Sequence, residues 1–211
     1  MERRHIEQNQ ANITIKRAEG EPSVISGYAA VFYRVNDPKT EFRLWDNIYE
    51  RIAPQAFTRA LNEKHDARGL FNHDMNHVLG RVGANTLSLS VDEIGLRYEI
   101  RIPETQLARD LMTSIERGDI SGSSFAFVPT KVTWTDEQER TTRTIEDVDL
   151  FDVGPVTFPA YEGTSTGVRS SERGSIEKEY EDWREQIKRE RGAIDAVSVR
   201  ARQIELDSLN A

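Results

Sequence analysis

A serine, a histidine and a carboxylate are the residue types that together turn a weak hydroxyl into an acylating nucleophile: the histidine takes the hydroxyl proton and the acid orients the ring. One stretch sets up a serine for this. Gly118-Asp119-Ile120-Ser121-Gly122-Ser123-Ser124-Phe125-Ala126-Phe127-Val128 places three serines and two glycines around an alternating apolar run, so that a small hydroxyl is presented where a turn feeds a strand. The same composition suits an ordinary hydrogen-bonded turn, the commoner role of Ser and Gly between elements. A nucleophile needs a base, and the chain has 4 histidines. His73, in Gly69-Leu70-Phe71-Asn72-His73-Asp74, leaves a short apolar run and enters a polar turn. Asp152 is the lone carboxylate in the apolar run from Phe151 to Pro159, where an unpaired buried charge is costly. His73, Ser124 and Asp152 are compatible with one site, because strands bring distant residues together and serine hydrolases reach one geometry through several chain orders. Asp92 and Asp74 are the alternative acids.

The elements that must position these residues follow from patterning. Residues 12–18 alternate apolar and polar, and Val24 to Tyr33 is rich in β-branched, small and aromatic residues; two strands are predicted, the second bent or bulged at Gly27. Asn36-Asp37-Pro38-Lys39 is a turn, and residues 42–52 suit either strand or irregular chain. Pro54 opens a helix predicted to end near Lys64. Leu87, Leu89 and Val91 alternate with serines, and beyond the turn at 92–95, Leu96, Tyr98, Ile100 and Ile102 alternate with charged residues, making the clearest strand pair. Leu107, Leu111 and Ile115 repeat at i+4, so a helix is predicted over 105–117 with Gly118 ending it. The serine stretch therefore leaves a helix and opens a long strand interrupted at Pro129. Residues 136–139 form a charged hairpin tip, and 141–150 return as its partner. This set of elements is α+β and mainly antiparallel β.

Composition sets outer limits. A length of 211 residues holds one ordinary domain plus an appendage. Cysteine is absent, which removes disulfides, thiolate metal sites and a cysteine nucleophile. The first eight residues are charged and no apolar run is long enough to span a bilayer, so a soluble chain without a signal peptide and without a membrane partner is expected. A formal net charge of -8 argues against nucleic acid, since such binding neutralises phosphates with Lys and Arg. Composition changes near Val168, dividing the chain into a domain over 12–168 and a charged tail over 169–211. In that tail Ile176, Tyr180, Trp183, Ile187, Ile194, Val197, Ala201 and Ile204 recur at spacings of three and four, broken once at Glu190. The tail reads as a helix with one apolar seam, suited to a coiled coil or to docking.

Four pieces in order carry a family resemblance: Glu50-Arg51-Ile52-Ala53-Pro54-Gln55-Ala56-Phe57; Phe71-Asn72-His73-Asp74 with Leu79-Gly80-Arg81; Gly118 to Phe127; and Val153-Gly154-Pro155-Val156-Thr157-Phe158-Pro159-Ala160. Over roughly 12–165 the chain resembles the prohead proteases of tailed phages, capsid-maturation serine proteases similar in fold to the herpesvirus assemblins. The resemblance implies an assemblin-like β-barrel with flanking helices and a serine endopeptidase without cofactor or metal. It implies cleavage of major capsid protein and scaffold segments, and of itself, inside the procapsid assembled in the host cytoplasm, together with self-association. Residue by residue, the family's histidine falls on His73 and its serine on Ser124, with Ala126 where the family usually has glycine. Its acid falls on Asp152, where the family often has Glu-Val-Ser against Asp152-Val153-Gly154 here. Assemblins use a second histidine as third member, and no histidine follows His77.

Two rival readings remain open at this point. His73 and His77 are four apart beside Asp74, a metal-binding spacing on a helix, but no helical pattern crosses 72–80 and no His-Glu-x-x-His is present. A non-enzymatic capsid or scaffolding component would leave Ser124 a turn serine and His73 a partly buried histidine; the discriminator is whether the two meet at hydrogen-bonding distance.

Overall fold

The computed structural model describes residues 1–6, 8–137, 140–158 and 172–190, and the chain divides into two compact units, 1–169 and 170–211. In the first unit the order is β1 (Glu2–Ile6), α1 (Gln8–Ala11), β2 (Thr14–Lys16), β3 (Val24–Val31), β4 (Phe42–Trp45), β5 (Ile48–Ile52), α2 (Thr58–Asn62), β6 (Arg68–Leu70), β7 (Val78–Arg81), β8 (Leu87–Val91), β9 (Gly95–Arg101), α3 (Gln106–Glu116), β10 (Gly122–Glu137) and β11 (Arg140–Val156). In the second unit residues 172–190 are helical, carrying the first part of the seam; Ile194, Val197, Ala201 and Ile204 lie outside the described residues.

Alternation produces the smaller sheet. β8 and β9 pair antiparallel, Leu96, Tyr98 and Ile100 of β9 turn inward with no exposure while Arg97 and Glu99 face out, and the order is β2-β3-β9-β8. The larger, seven-stranded sheet is built on the β10–β11 ribbon in the order β1-β10-β11-β5-β4, with β6 joined to β11 and β7 to β6. A single buried cluster takes Ile25 and Tyr98 from one sheet, Phe125 and Val153 from the other, Phe57 ahead of α2, and Leu111 from α3. The helix over 105–117 forms as α3, with Thr105 as N-cap accepting from the Ala108 amide and Gly118 at φ +81 just past its end.

Several expectations are corrected. Among the described residues the strands make two open sheets and no closed barrel: the larger ends on β1 and β4, and closure would require its terminal strands to pair. Among the described strands pairing is mainly antiparallel, as expected, with two parallel exceptions in the larger sheet. β5 runs parallel to residues 141–145 of β11 and β6 parallel to residues 152–153, so the segment leading through α2 lays two strands in succession along one long neighbour. The 42–52 region resolves into the β4–β5 hairpin. Residues 54–57 are turn, and the helix begins only at Thr58. At Gly27 there is no bulge; the register shift falls between Tyr28 and Ala30. A side chain at 27 would lie 2.9 Å from both the Ala11 carbonyl and the Tyr98 hydroxyl, so close packing is the reason for glycine. β10 runs through Pro129 with register shifts rather than stopping, and the apolar 151–156 run continues β11.

Candidate active site

Ser123 and Ser124 are both fully buried, yet successive strand residues face opposite sides of a sheet. Ser123 turns toward the core, where its hydroxyl bonds the Tyr98 hydroxyl at 2.8 Å; burial pushes that phenol well above its ordinary range. Ser124 turns the other way. Its Oγ lies 2.5 Å from His73 Nε2 and 2.9 Å from the carbonyl oxygen of Arg4, so its one hydrogen can serve either acceptor but not both.

His73 reaches the serine from the loop between β6 and β7. Asn72 and His73 adopt φ of 55° and 56°, the left-handed region that Asn and His enter more readily than other side chains. Something must hold two such residues in succession, and the end of β11 does. The Asn72 amide nitrogen bonds the Pro155 carbonyl at 3.1 Å, while the Asn72 side chain donates to Thr157 Oγ1 at 2.9 Å and accepts from the Thr157 amide at 2.8 Å. Only 4% of the His73 side chain is exposed.

Asp152 completes the line. It lies opposite Ala126 in the β10–β11 register, hence on the same face as Ser124, and its Oδ1 is 2.5 Å from His73 Nδ1. A carboxylate only accepts, so Nδ1 carries the hydrogen; in the neutral ring this leaves Nε2 as the acceptor facing Ser124. Gly154, opposite Ser124, has φ +155, and a side chain there would come within 2.1 Å of the Leu70 carbonyl oxygen. Its absence of a side chain lets β6 lie against β11, which brings the loop bearing His73 over the serine.

The alternative residues are occupied elsewhere. Asp92 takes the Tyr28 hydroxyl at 2.6 Å and the Ile94 and Gly95 amides in the β8–β9 turn. Asp74 accepts from the Asn76 amide and side chain, and lies 3.4 Å from His77 Nδ1. Both ring nitrogens of His73 are engaged, so it has no free lone pair for a metal shared with His77. Among the described residues no cluster of three or more His, Asp or Glu side chains is placed to hold an ion.

Among the elements that sequence reading missed, β1 is the one that borders the site. It pairs antiparallel with the free side of β10, setting His5 opposite Ser124 and Arg4 opposite Phe125, with the His5 and His73 rings edge to face at 5.7 Å. Its inward residues include Glu2 and Arg4, which join Glu50 and Arg143 in a buried four-charge cluster. Arg143 grips both Glu2 oxygens at 2.9 and 3.0 Å and Glu50 at 2.5 Å, and Arg4 binds Glu50 at 2.5 and 2.9 Å and Glu2 at 2.6 Å. Burial alone would raise the Glu50 carboxyl, but Arg4 and Arg143 together outweigh it and hold it below the usual carboxylate range. Hydropathy patterning has no signal for such a strand. Glu50, at the head of one resembling motif, was the one visible part.

Comparison with curated protein sequences finds no match. Among solved structures, the capsid assembly protease gp21 of bacteriophage T4 aligns with a TM-score of 0.43 and 12% identity, over 74% of this chain and 99% of that one. The family model described as caudovirus prohead serine protease matches residues 10–179, a span that contains His73, Ser124 and Asp152. The chain belongs to the caudovirus prohead serine protease family.

Proposed function

We propose that the protein is a serine endopeptidase of phage head maturation in which Ser124 is the nucleophile, His73 the general base and acid, and Asp152 the residue that orients His73. The observation that carries this reading is the position of the imidazole, 2.5 Å from both the hydroxyl and the carboxylate. His73 Nε2 takes the Ser124 proton as Oγ bonds to a peptide carbonyl carbon, and backbone amides receive the charge that develops on oxygen. The C–N bond then breaks, His73 returns the proton to the leaving amine, and an ester remains on Ser124. Water, deprotonated by the same nitrogen, releases the new carboxylate. Asp152 accepts from Nδ1–H throughout and stabilises the imidazolium that forms in each half.

The substrates in this reading are segments of scaffold and major capsid protein inside the procapsid, and the chain's own tail beyond Val168. The apolar seam of that tail is the docking element, through a helical partner or a second copy. Family membership supports the setting, and the repeat from Ile176 to Ile204 supports the docking role. Co-expression with the capsid and scaffold proteins tests the reading: intact-mass measurement should show shortened subunits with the wild type and full-length subunits with Ser124→Ala. Shortening of equal extent in both would overturn it.

A further inference from the structure

We infer that Arg59 and His65 are positioning residues: they stand in for a strand along the unpaired middle of β11 and so fix the β-bulge that aims Asp152 at His73. This rests on the serine-protease reading above, in which Asp152 orients the base. From Ser124 to Ala126 the β10–β11 ladder is regular, with Ala126 opposite Asp152, but the next pair is Phe127 opposite Leu150, which leaves Phe151 as an extra residue in β11. Opposed residues share a face of the sheet. Were the register of Phe127 and Leu150 carried on toward the serine, Phe151 would fall opposite Ala126, and Asp152 would fall opposite Phe125 and turn to the core. The acid meets His73 only because the extra residue falls at 151.

A strand on the far side of β11 would hold such a bulge in place. Among the described residues β5 stops at the level of Ile145 and β6 begins at that of Asp152, so residues 146–151 have no ladder partner on that side. Side chains from α2 and the turn after it take over. Arg59 donates to the Val148 carbonyl at 3.1 Å and grips the Asp147 and Asp149 carboxylates, on either side of it, at 2.7 Å each. The Leu150 amide donates to His65 Nδ1 at 3.4 Å. Because Nδ1 accepts, the neutral ring carries its hydrogen on Nε2, which faces Glu63 Oε2 at 3.1 Å. The two side chains thus satisfy one carbonyl and one amide of the gap, and the amide belongs to the last residue before the bulge. Both act on Asp152 through the main chain.

Two substitutions at position 65 separate the two ring nitrogens. In His65→Asn the side-chain oxygen takes the place of Nδ1 and can accept from Leu150; in His65→Gln the side-chain amide reaches the place of Nε2 and can donate to Glu63, leaving the Leu150 amide without its acceptor. In the full chain, with scaffold or capsid protein as substrate and below the melting transition, His65→Gln should lose roughly 10- to 100-fold in kcat with KM near wild type, the cost of displacing a site residue by up to about an ångström. His65→Asn should stay near wild type. A second readout needs no turnover: the low-field proton resonance of His73 Nδ1–H, bonded to Asp152 at 2.5 Å, should move upfield or vanish in His65→Gln and persist in His65→Asn. An unchanged kcat or an unmoved resonance in His65→Gln, or a loss in His65→Asn equal to that in His65→Gln, overturns the inference and leaves the protease reading standing. Wild type that cleaves no faster than Ser124→Ala takes down the protease reading, while the resonance still reports whether His65 sets the contact between His73 and Asp152.

Discussion

Neighbouring serines in one strand have opposite duties because a strand alternates. Ser123→Ala would strip the buried Tyr98 hydroxyl of its partner at 2.8 Å. It should cost about 1–3 kcal/mol in denaturant unfolding, while turnover under folded conditions stays near wild type. A Ser123→Ala protein as stable as wild type would contradict that bond. Asp92 lies in the β8–β9 turn, and Asp74, although next to His73 in the chain, gives its carboxylate to Asn76, so Asp92→Asn and Asp74→Asn should likewise leave turnover near wild type in the same assay. Residue type and pattern made the three candidate residues compatible with one site, a hydroxyl entering a strand, a histidine leaving an apolar run and a carboxylate that could not stay unpaired in another, while the choice of Asp152 over Asp92 and Asp74 leaned on the family resemblance. The Arg4 carbonyl on Ser124 was not legible. It is a backbone atom, and no side-chain pattern announces where a main chain will lie.

At the scale of elements, the site depends on how the β6–β7 loop is tied to the end of β11. Asn72 makes three of those ties, two through its side chain. It touches neither nucleophile nor base proton, so it is a positioning residue. Asn72→Ala should lower kcat by roughly 10- to 100-fold with little change in KM, as expected when a base is displaced by a fraction of an ångström to an ångström; loss confined to KM would point instead to substrate contact. Gly154→Ala should be poorly tolerated and melt well below wild type, because its new methyl would meet the Leu70 carbonyl at 2.1 Å. The β8–β9 hairpin and α3 were legible because each has a strict period and clear ends. β1 was hidden for the opposite reason: Glu2 and Arg4 face inward, so its buried side carries charge. The open sheets followed from β11, whose length lets β5 and β6 dock along it in turn, a tertiary choice with no local signature.

Over the whole molecule, two carboxylates and two guanidinium groups buried together tie β1 to β5 and β11. Removing one partner leaves the others unbalanced, so Glu50→Gln should cost about 3–5 kcal/mol of stability. The folded Glu50 carboxyl is held below its ordinary value of 4.5. Its contribution to stability is therefore complete above that value and is lost as pH falls below it toward the depressed folded value. Melting temperature plotted against pH should fall on the acid side in the wild type, and Glu50→Gln should remove part of that slope. Identical slopes would show that Glu50 is not a source of it.

The central claim is that Ser124, His73 and Asp152 act as one unit. Turnover of a purified scaffold or capsid substrate by Ser124→Ala, His73→Ala and Asp152→Asn, each with its melting curve, tests it most directly. The expected result is a loss on the order of 10⁵–10⁶ for either of the first two, no greater when they are combined, and about 10⁴ for Asp152→Asn, with melting close to wild type throughout. Retention of activity in Ser124→Ala, or losses that multiply when Ser124→Ala and His73→Ala are combined, would contradict it.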